Sequence, residues 1–274
     1  MQNTTVYLII AAVLGIFLGY HKLKSSREGF KNEPERPFPN LWRQILRDNV
    51  KFYQSLSRPE KSEFERKVHV FLLNVRIRGM ETEVSHEDKV LIAAGAIIPI
   101  FYFSKWHYAN LQEVQLFADK FPIPESNKMA HGLVGWGAME GKMMLSRKAV
   151  LSGFKDDSDN QNVVIHEFVH LLDQQDGKID GVMEKFMDEI DIRPWLHIVD
   201  VKRSEIDFGG SSIREYASTN RAEFLAAVSE YYFVNPEELR SEHPGLYNAL
   251  DSFYNEKNRS QPIRNRFKKR RRQR

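Results

Sequence analysis

No cysteine occurs among the 274 residues. That excludes disulfides, thiolate metal sites and cysteine nucleophiles, and it suits a reducing compartment. A consistent sign of charge is missing as well. The formal net charge is +3, but Arg264 to Arg274 alone carries eight Lys or Arg and no acid. Removing those eight charges turns +3 into −5, so the body of the chain is mildly acidic. The high pI of about 8.9 is therefore no sign of a nucleic-acid groove, and no specific nucleic acid is expected as a partner. Internal repeats are absent, and the basic tail is the only low-complexity segment. A hydrophobic fraction of 42% with 28% charged residues reads as globular rather than disordered.

Long apolar runs are scarce. Val6 to Tyr20 is one apolar run without any charge. At ~1.5 Å rise per residue it just crosses a thin hydrocarbon core. No positive residue precedes it and no small-x-small pattern clearly follows, which argues against a cleaved signal. We expect a membrane anchor over 4–21. His21, Lys22, Lys24, Arg27 and Lys31 follow at once and place the body on the cytoplasmic side of a bacterial-type inner membrane. The alternatives are a loosely associated helix or a cytoplasmic protein. Val90 to Phe103 is also apolar, but Gly95 and Pro99 interrupt it. It is expected to be a buried core helix leading into a strand.

The domain plan is an anchor (4–21), a basic, proline-containing linker (22–40), one main domain (41–258) and a basic disordered tail (259–274). Ser57-Arg58-Pro59-Glu60 is a capping box with proline in the first turn, and Phe64, Val68, Phe71, Leu72 and Val75 follow at helical spacing. A short strand is expected within Tyr108 to Phe117, a mobile glycine-rich loop over His131 to Gly141, and a bent strand from Lys142 to Gly153. Asp156 to Asn160 is a polar turn; its acids lack the spacing and final glutamate of a calcium loop.

Val163 to Asp173 contains His166-Glu167-Phe168-Val169-His170, an HExxH pattern. Residues four apart lie one turn apart on one helix face, where two imidazoles can bind one tetrahedral ion. Glu167 is then placed to act on a water bound to that ion. By itself the pattern is weak, since an ordinary helix can carry two histidines. The flanking Val163, Val164, Ile165, Phe168, Val169, Leu171 and Leu172 strengthen it, because a buried helix does not carry two histidines and a glutamate without partners. A catalytic zinc usually takes three protein ligands. A second helical stretch, Arg221 to Phe233, offers Glu223 and Glu230, seven apart on one face among apolar residues, so at least one is expected to point inward. His69, His86, His107, His197 and His243 are isolated, and His131 is a remote candidate for the site.

HEFVHLLD, then YASTNRAEFLAAVSEYYF, then Pro236-Glu237 resemble the MtfA family of zinc peptidases, whose active-site helices are similar to those of the anthrax lethal factor catalytic domain. The resemblance runs from about Phe52 to Phe253. It implies an α+β, helix-rich, zincin-like metallopeptidase domain with a small sheet. It implies one zinc ion held by His166, His170 and Glu223, with Glu167 as general base and Tyr216 as donor to the oxyanion. Asp173 matches a family acid, for which we expect a hydrogen bond to a ligand histidine; Glu230 has no assigned role. The activity implied is zinc-dependent hydrolysis of peptide or protein substrates, with endo- and aminopeptidase action both open. The strand near Met143 to Ser146 would pair with an extended peptide. The resemblance also implies a different reading, a regulatory binding protein that sequesters a transcriptional repressor. A third places the chain in quality control at the bilayer.

Overall fold

The computed structural model describes residues 32–103, 108, 110–124, 126–156, 158–184, 187 and 189–255. The anchor expected over 4–21, most of the linker and the basic tail lie outside them. Among the described residues no helix is long and apolar enough to cross a membrane.

The chain opens with helices α1 (Asn40–Asn49) and α2 (Lys51–Ser55). Helix α3 (Arg58–Asn74) starts at the expected capping box: the Ser57 N–H donates to Glu60 at 2.9 Å, with Pro59 in the first turn. It buries Phe64, Val68 and Phe71. The short strand β1 (Arg76–Met80) follows, then α4 (His86–Ile97), capped by Ser85 accepting from the Asp88 N–H. Val90 to Ile97 is buried on every side, as a helix with no polar face requires. The expected strand after it is instead a 3-10 turn at Ile98–Ile100. Pro99 falls at its start, where the missing N–H has no helical partner to lose.

Strand β2 (Glu113–Phe117) lies within the expected segment. Two short strands, β3 (Phe121–Pro122) and β4 (Met129–Ala130), pair antiparallel in a separate ribbon. The glycine-rich stretch expected as a mobile loop contains β5 (Gly132–Val134). It pairs antiparallel with β6 (Lys142–Ser146), Leu133 opposite Met144. The main sheet has the order β1-β2-β6-β5, with β1, β2 and β6 parallel. Strand β6 is thus flanked on both sides, so Met143 to Ser146 has no edge left for a peptide. The outer strand on that side is β5. Val150 and Leu151, expected on a bent strand, belong to helix α5 (Arg147–Lys155), which begins where Ser146 accepts from the Ala149 N–H.

Helix α6 (Val163–Asp173) carries the HExxH pattern. Helices α7 (Glu189–Asp207) and α8 (Arg221–Val234) are joined through a 3-10 turn at Glu215–Ser218; α9 (Pro236–Glu242) and α10 (Pro244–Tyr254) close the described chain. This is a helix-rich α+β fold with a small mixed sheet, as expected.

The back of α6 faces the core. Phe168 stacks edge-on with Phe71 at 5.7 Å and packs tilted against Tyr108 at 4.8 Å between ring centroids. On another side α4 comes so close that a Cβ at Gly95 would lie 2.4 Å from Val164 Cγ1 and 2.7 Å from its Cβ. Gly95 lies inside α4, where it costs about 0.5–1 kcal/mol of helix propensity relative to alanine. The close approach is what that cost permits. Gly95→Ala should destabilise the protein by about 1–3 kcal/mol, the scale of overpacking a filled core, because the branched Val164 Cβ cannot swing away. Urea unfolding checks this; a stability equal to or above wild type would show that propensity outweighs the contact.

Candidate metal centre

Helix α6 is started by Asn162. Its side-chain oxygen accepts from the Val164 and Ile165 N–H groups at 3.1 and 3.2 Å, and its amide donates to the Gly153 carbonyl at 2.8 Å. This asparagine cap fixes where the helix begins, and so which face presents the histidines. Helix α8 crosses nearby, capped by Asn220 accepting from the Glu223 N–H at 2.9 Å.

The two helices bring three ligand-type side chains together. His166 Nε2 and His170 Nε2 are 3.1 Å apart. Glu223 Oε2 lies 3.1 Å from the first and 3.5 Å from the second. Bonds of about 2.0–2.1 Å in a tetrahedron imply ligand separations of roughly 3.3 Å. Two imidazole nitrogens and a carboxylate oxygen at these spacings match the donor set and size of a zinc site. Among the described residues this is the group of histidines and acids able to hold a metal ion.

Glu167 is buried at 6% exposure, and burial raises its pKa. Strand β5 runs directly beside it: a Cβ at Gly132 would lie 2.4 Å from Glu167 Oε1, so only glycine leaves that carboxylate its place. Tyr216 sits in the 3-10 turn, half exposed, its ring 6.3 Å from that of His166. Its phenol is pushed up by partial desolvation and then by the Glu223 carboxylate next to it. The turn is pinned by Arg203, which donates twice to the Ser218 carbonyl at 3.1 and 2.8 Å. The five site residues expected from the sequence therefore come together. His131 does not join them; its charged neighbours are Lys120, Asp119 and Lys148.

Asp173 departs from expectation, and Glu230, left without a role by the sequence, gains a position. Asp173 does not bond to a histidine. It accepts from the Gly181 N–H (3.0 and 3.2 Å) and the Val182 N–H (3.1 Å), closing the loop after α6. Burial still lifts its pKa to about 6. Among the described residues, His170 Nδ1 is buried with no hydrogen-bond partner. The acid behind a ligand-type histidine is Glu230, 1% exposed, whose Oε1 accepts from His166 Nδ1 at 2.6 Å. Its Oε2 accepts from the Asn162 N–H at 2.6 Å. Because a carboxylate only accepts, the Nδ1 proton is committed and Nε2 is the nitrogen that faces Glu223. Burial opposes a charge on His166, but Glu230 and Glu223 on either side outweigh it and raise its pKa to about 10. A cation at Nε2 answers the same two carboxylates by replacing that proton.

Arg214 was not singled out by any motif, and it also reaches this group, donating to Glu230 Oε1. Glu230 itself carried a sequence signal, its seven-residue offset from Glu223 on an apolar helix; Arg214 carried none.

The family model of the glucose-regulated metallo-peptidase M90 matches residues 23–255. An uncharacterized Synechocystis protein is 27% identical over 270 residues, covering 93% of this chain and 97% of its own. The Mlc titration factor A proteins of Yersinia pestis and Yersinia pseudotuberculosis are each 26% identical over 241 residues, 81% of this chain and 87% of theirs. A family of metallo-peptidases implies a metal, and the His166, His170 and Glu223 group fits one. The match takes in every described helix and strand, and the chain belongs to the glucose-regulated metallo-peptidase M90 family, the MtfA family that its paired motifs resemble.

Proposed function

We propose that this chain is a zinc-dependent peptidase in which His166, His170 and Glu223 hold the ion, Glu167 is the general base and Tyr216 the donor to the oxyanion. The observation that carries the reading is the convergence of three ligand-type atoms from two helices with a buried carboxylate, Glu167, beside them. When bound, zinc supplies Lewis acidity, which polarises a carbonyl and acidifies water. Glu167, its pKa raised by burial, takes the proton of the attacking water and returns it to the leaving nitrogen. The Tyr216 hydroxyl, kept protonated by its surroundings, donates to the carbonyl oxygen as charge develops there. An extended substrate would pair with the outer edge of β5, the strand that passes Glu167.

The name of the Yersinia relatives, Mlc titration factor A, supports a second reading. In it the chain sequesters a transcriptional repressor and hydrolysis is secondary. Glu167 separates the two, since it acts on the proton and not on the partner.

The wild-type protein should hold about one zinc ion, and His166→Ala or Glu223→Ala should lose most of it by elemental analysis. Glu167→Gln should retain the metal while peptide turnover drops at least ~10²-fold. Full zinc occupancy in a His166→Ala, His170→Ala double variant, or normal turnover in Glu167→Gln, contradicts the assignment. Tyr216→Phe removes only a hydroxyl, so kcat should fall at constant zinc content; an unchanged kcat returns this residue to packing.

On sequence grounds alone we also propose that residues 4–21 anchor the protein, with the catalytic domain on the cytoplasmic side. The full chain should then pellet with membranes and resist a high-salt wash, whereas a form lacking 1–31 should be released by salt. Recovery of the full chain in the soluble fraction at low salt rejects the anchor.

A further inference from the structure

Among the described residues, the proposed chemistry leaves one cation beside the metal group, Arg214, without a role. Arg214 lies in the irregular segment between α7 and the 3-10 turn that carries Tyr216. Its guanidinium meets three site residues at once. Nη2 donates to Glu230 Oε1, the same oxygen that accepts from His166 Nδ1 at 2.6 Å. The same Nη2 is 3.2 Å from that Nδ1. The guanidinium carbon stands 5.7 Å from the centroid of the Tyr216 ring.

Each contact does something different. Glu230 is 1% exposed, and a buried carboxylate is held only if its oxygens are all engaged. The Asn162 N–H engages Oε2, while Arg214 and His166 share Oε1. Arg214 therefore fixes the rotamer of Glu230, and Glu230 fixes the plane of the His166 ring. The cation–π contact ties the Tyr216 ring to the same guanidinium. A lysine reproduces the charge but not the fixed fork that bonds Glu230 while the cation stands over the ring.

We propose that Arg214 is a positioning residue. It clamps Glu230 onto His166 and the Tyr216 ring onto the metal group through one side chain, so that a metal ligand and the oxyanion donor are held in register. This deepens the zinc-peptidase reading and rests on it.

The test uses the full-length protein as wild type, Arg214→Met, Arg214→Lys, Glu230→Gln and the Arg214→Met, Glu230→Gln double variant. Zinc Kd is measured by chelator competition, unfolding of the zinc-free protein by circular dichroism, and turnover on a peptide library. Arg214→Met should weaken zinc binding about 10- to 100-fold, the usual effect of losing a group that orients a ligand. In the Glu230→Gln background the same change should alter Kd less than about twofold, because Arg214 reaches the ligand through that carboxylate. Arg214→Lys should recover much of the zinc affinity but not kcat, and in a Tyr216→Phe background it should leave kcat unchanged. The lysine variant keeps a cation on Glu230, so the comparison survives if the methionine variant does not fold. A zinc Kd for Arg214→Met equal to wild type, or additive effects with Glu230→Gln and a lowered zinc-free midpoint, overturns the proposal and leaves the zinc reading intact. A wild-type protein that binds no zinc overturns both.

Discussion

One buried carboxylate sets the geometry on which the site depends. Glu230 comes from the middle of α8, yet its two oxygens are taken by the first backbone N–H before α6, by the ring of His166 and by Arg214. A charge at 1% exposure tolerates no slack: an oxygen left without a donor costs several kcal/mol. The carboxylate therefore fixes the register of α8 against α6. With that register set, Glu223, two turns earlier on α8, meets the Nε2 atoms of His166 and His170 rather than a neighbouring turn. The ligand-type atoms converge because a residue outside their group has to be satisfied.

The rest of the fold presses α6 into place from the other sides. Phe168, inside the HExxH pattern, points away from the histidines into the rings of Phe71 and Tyr108. Val164 seats against the bare backbone of Gly95, and the Asp173 carboxylate closes the following loop through Gly181 and Val182. Gly181 in turn accepts, through its carbonyl, the indole N–H of the fully buried Trp195 at 2.7 Å. The end of α6 is thus tied to the core of α7. Interiors packed to this density transmit rather than absorb displacement, so side chains held on such a helix keep their places to a fraction of an ångström.

The parts of this arrangement visible in the sequence are those with local periodicity. His166 and His170 are one turn apart, Glu223 and Glu230 two turns apart, and the Ser57 and Ser85 caps precede apolar helical runs; each of these obeys rules that act over a few residues. What stayed hidden depends on partners distant along the chain. Gly132 to Val134 has the composition of a loop and becomes a strand only because β6 supplies the hydrogen bonds. Val150 and Leu151 suit a strand by type, but Ser146 caps a helix just before them and the cap decides. Asp173 sits where an acid would reach His170, and the N–H groups eight and nine residues later claim it instead. Arg214 lies two residues before Tyr216 with no pattern around it, and its meaning is created by a contact with Glu230, sixteen residues on.

The electrostatic balance of the site follows from the same packing. Glu167, Glu223 and Glu230 all lie within reach of His166, and among the described residues Arg214 stands beside them as a permanent cation. Desolvation weakens every carboxylate it touches, as the raised pKa of Glu167 shows. The Glu223 carboxylate is nevertheless held well below the ordinary range, because the two imidazoles outweigh its own burial. The three acids therefore divide into distinct states. Glu230 is spent on fixed donors, Glu223 is kept ionised by the histidines, and Glu167 has its proton affinity raised by burial. A base that must accept a proton and then return it needs that third state, while a ligand needs the second. The division is produced by which backbone and side-chain donors reach each oxygen, so the same residue type stands in three different environments within one cluster.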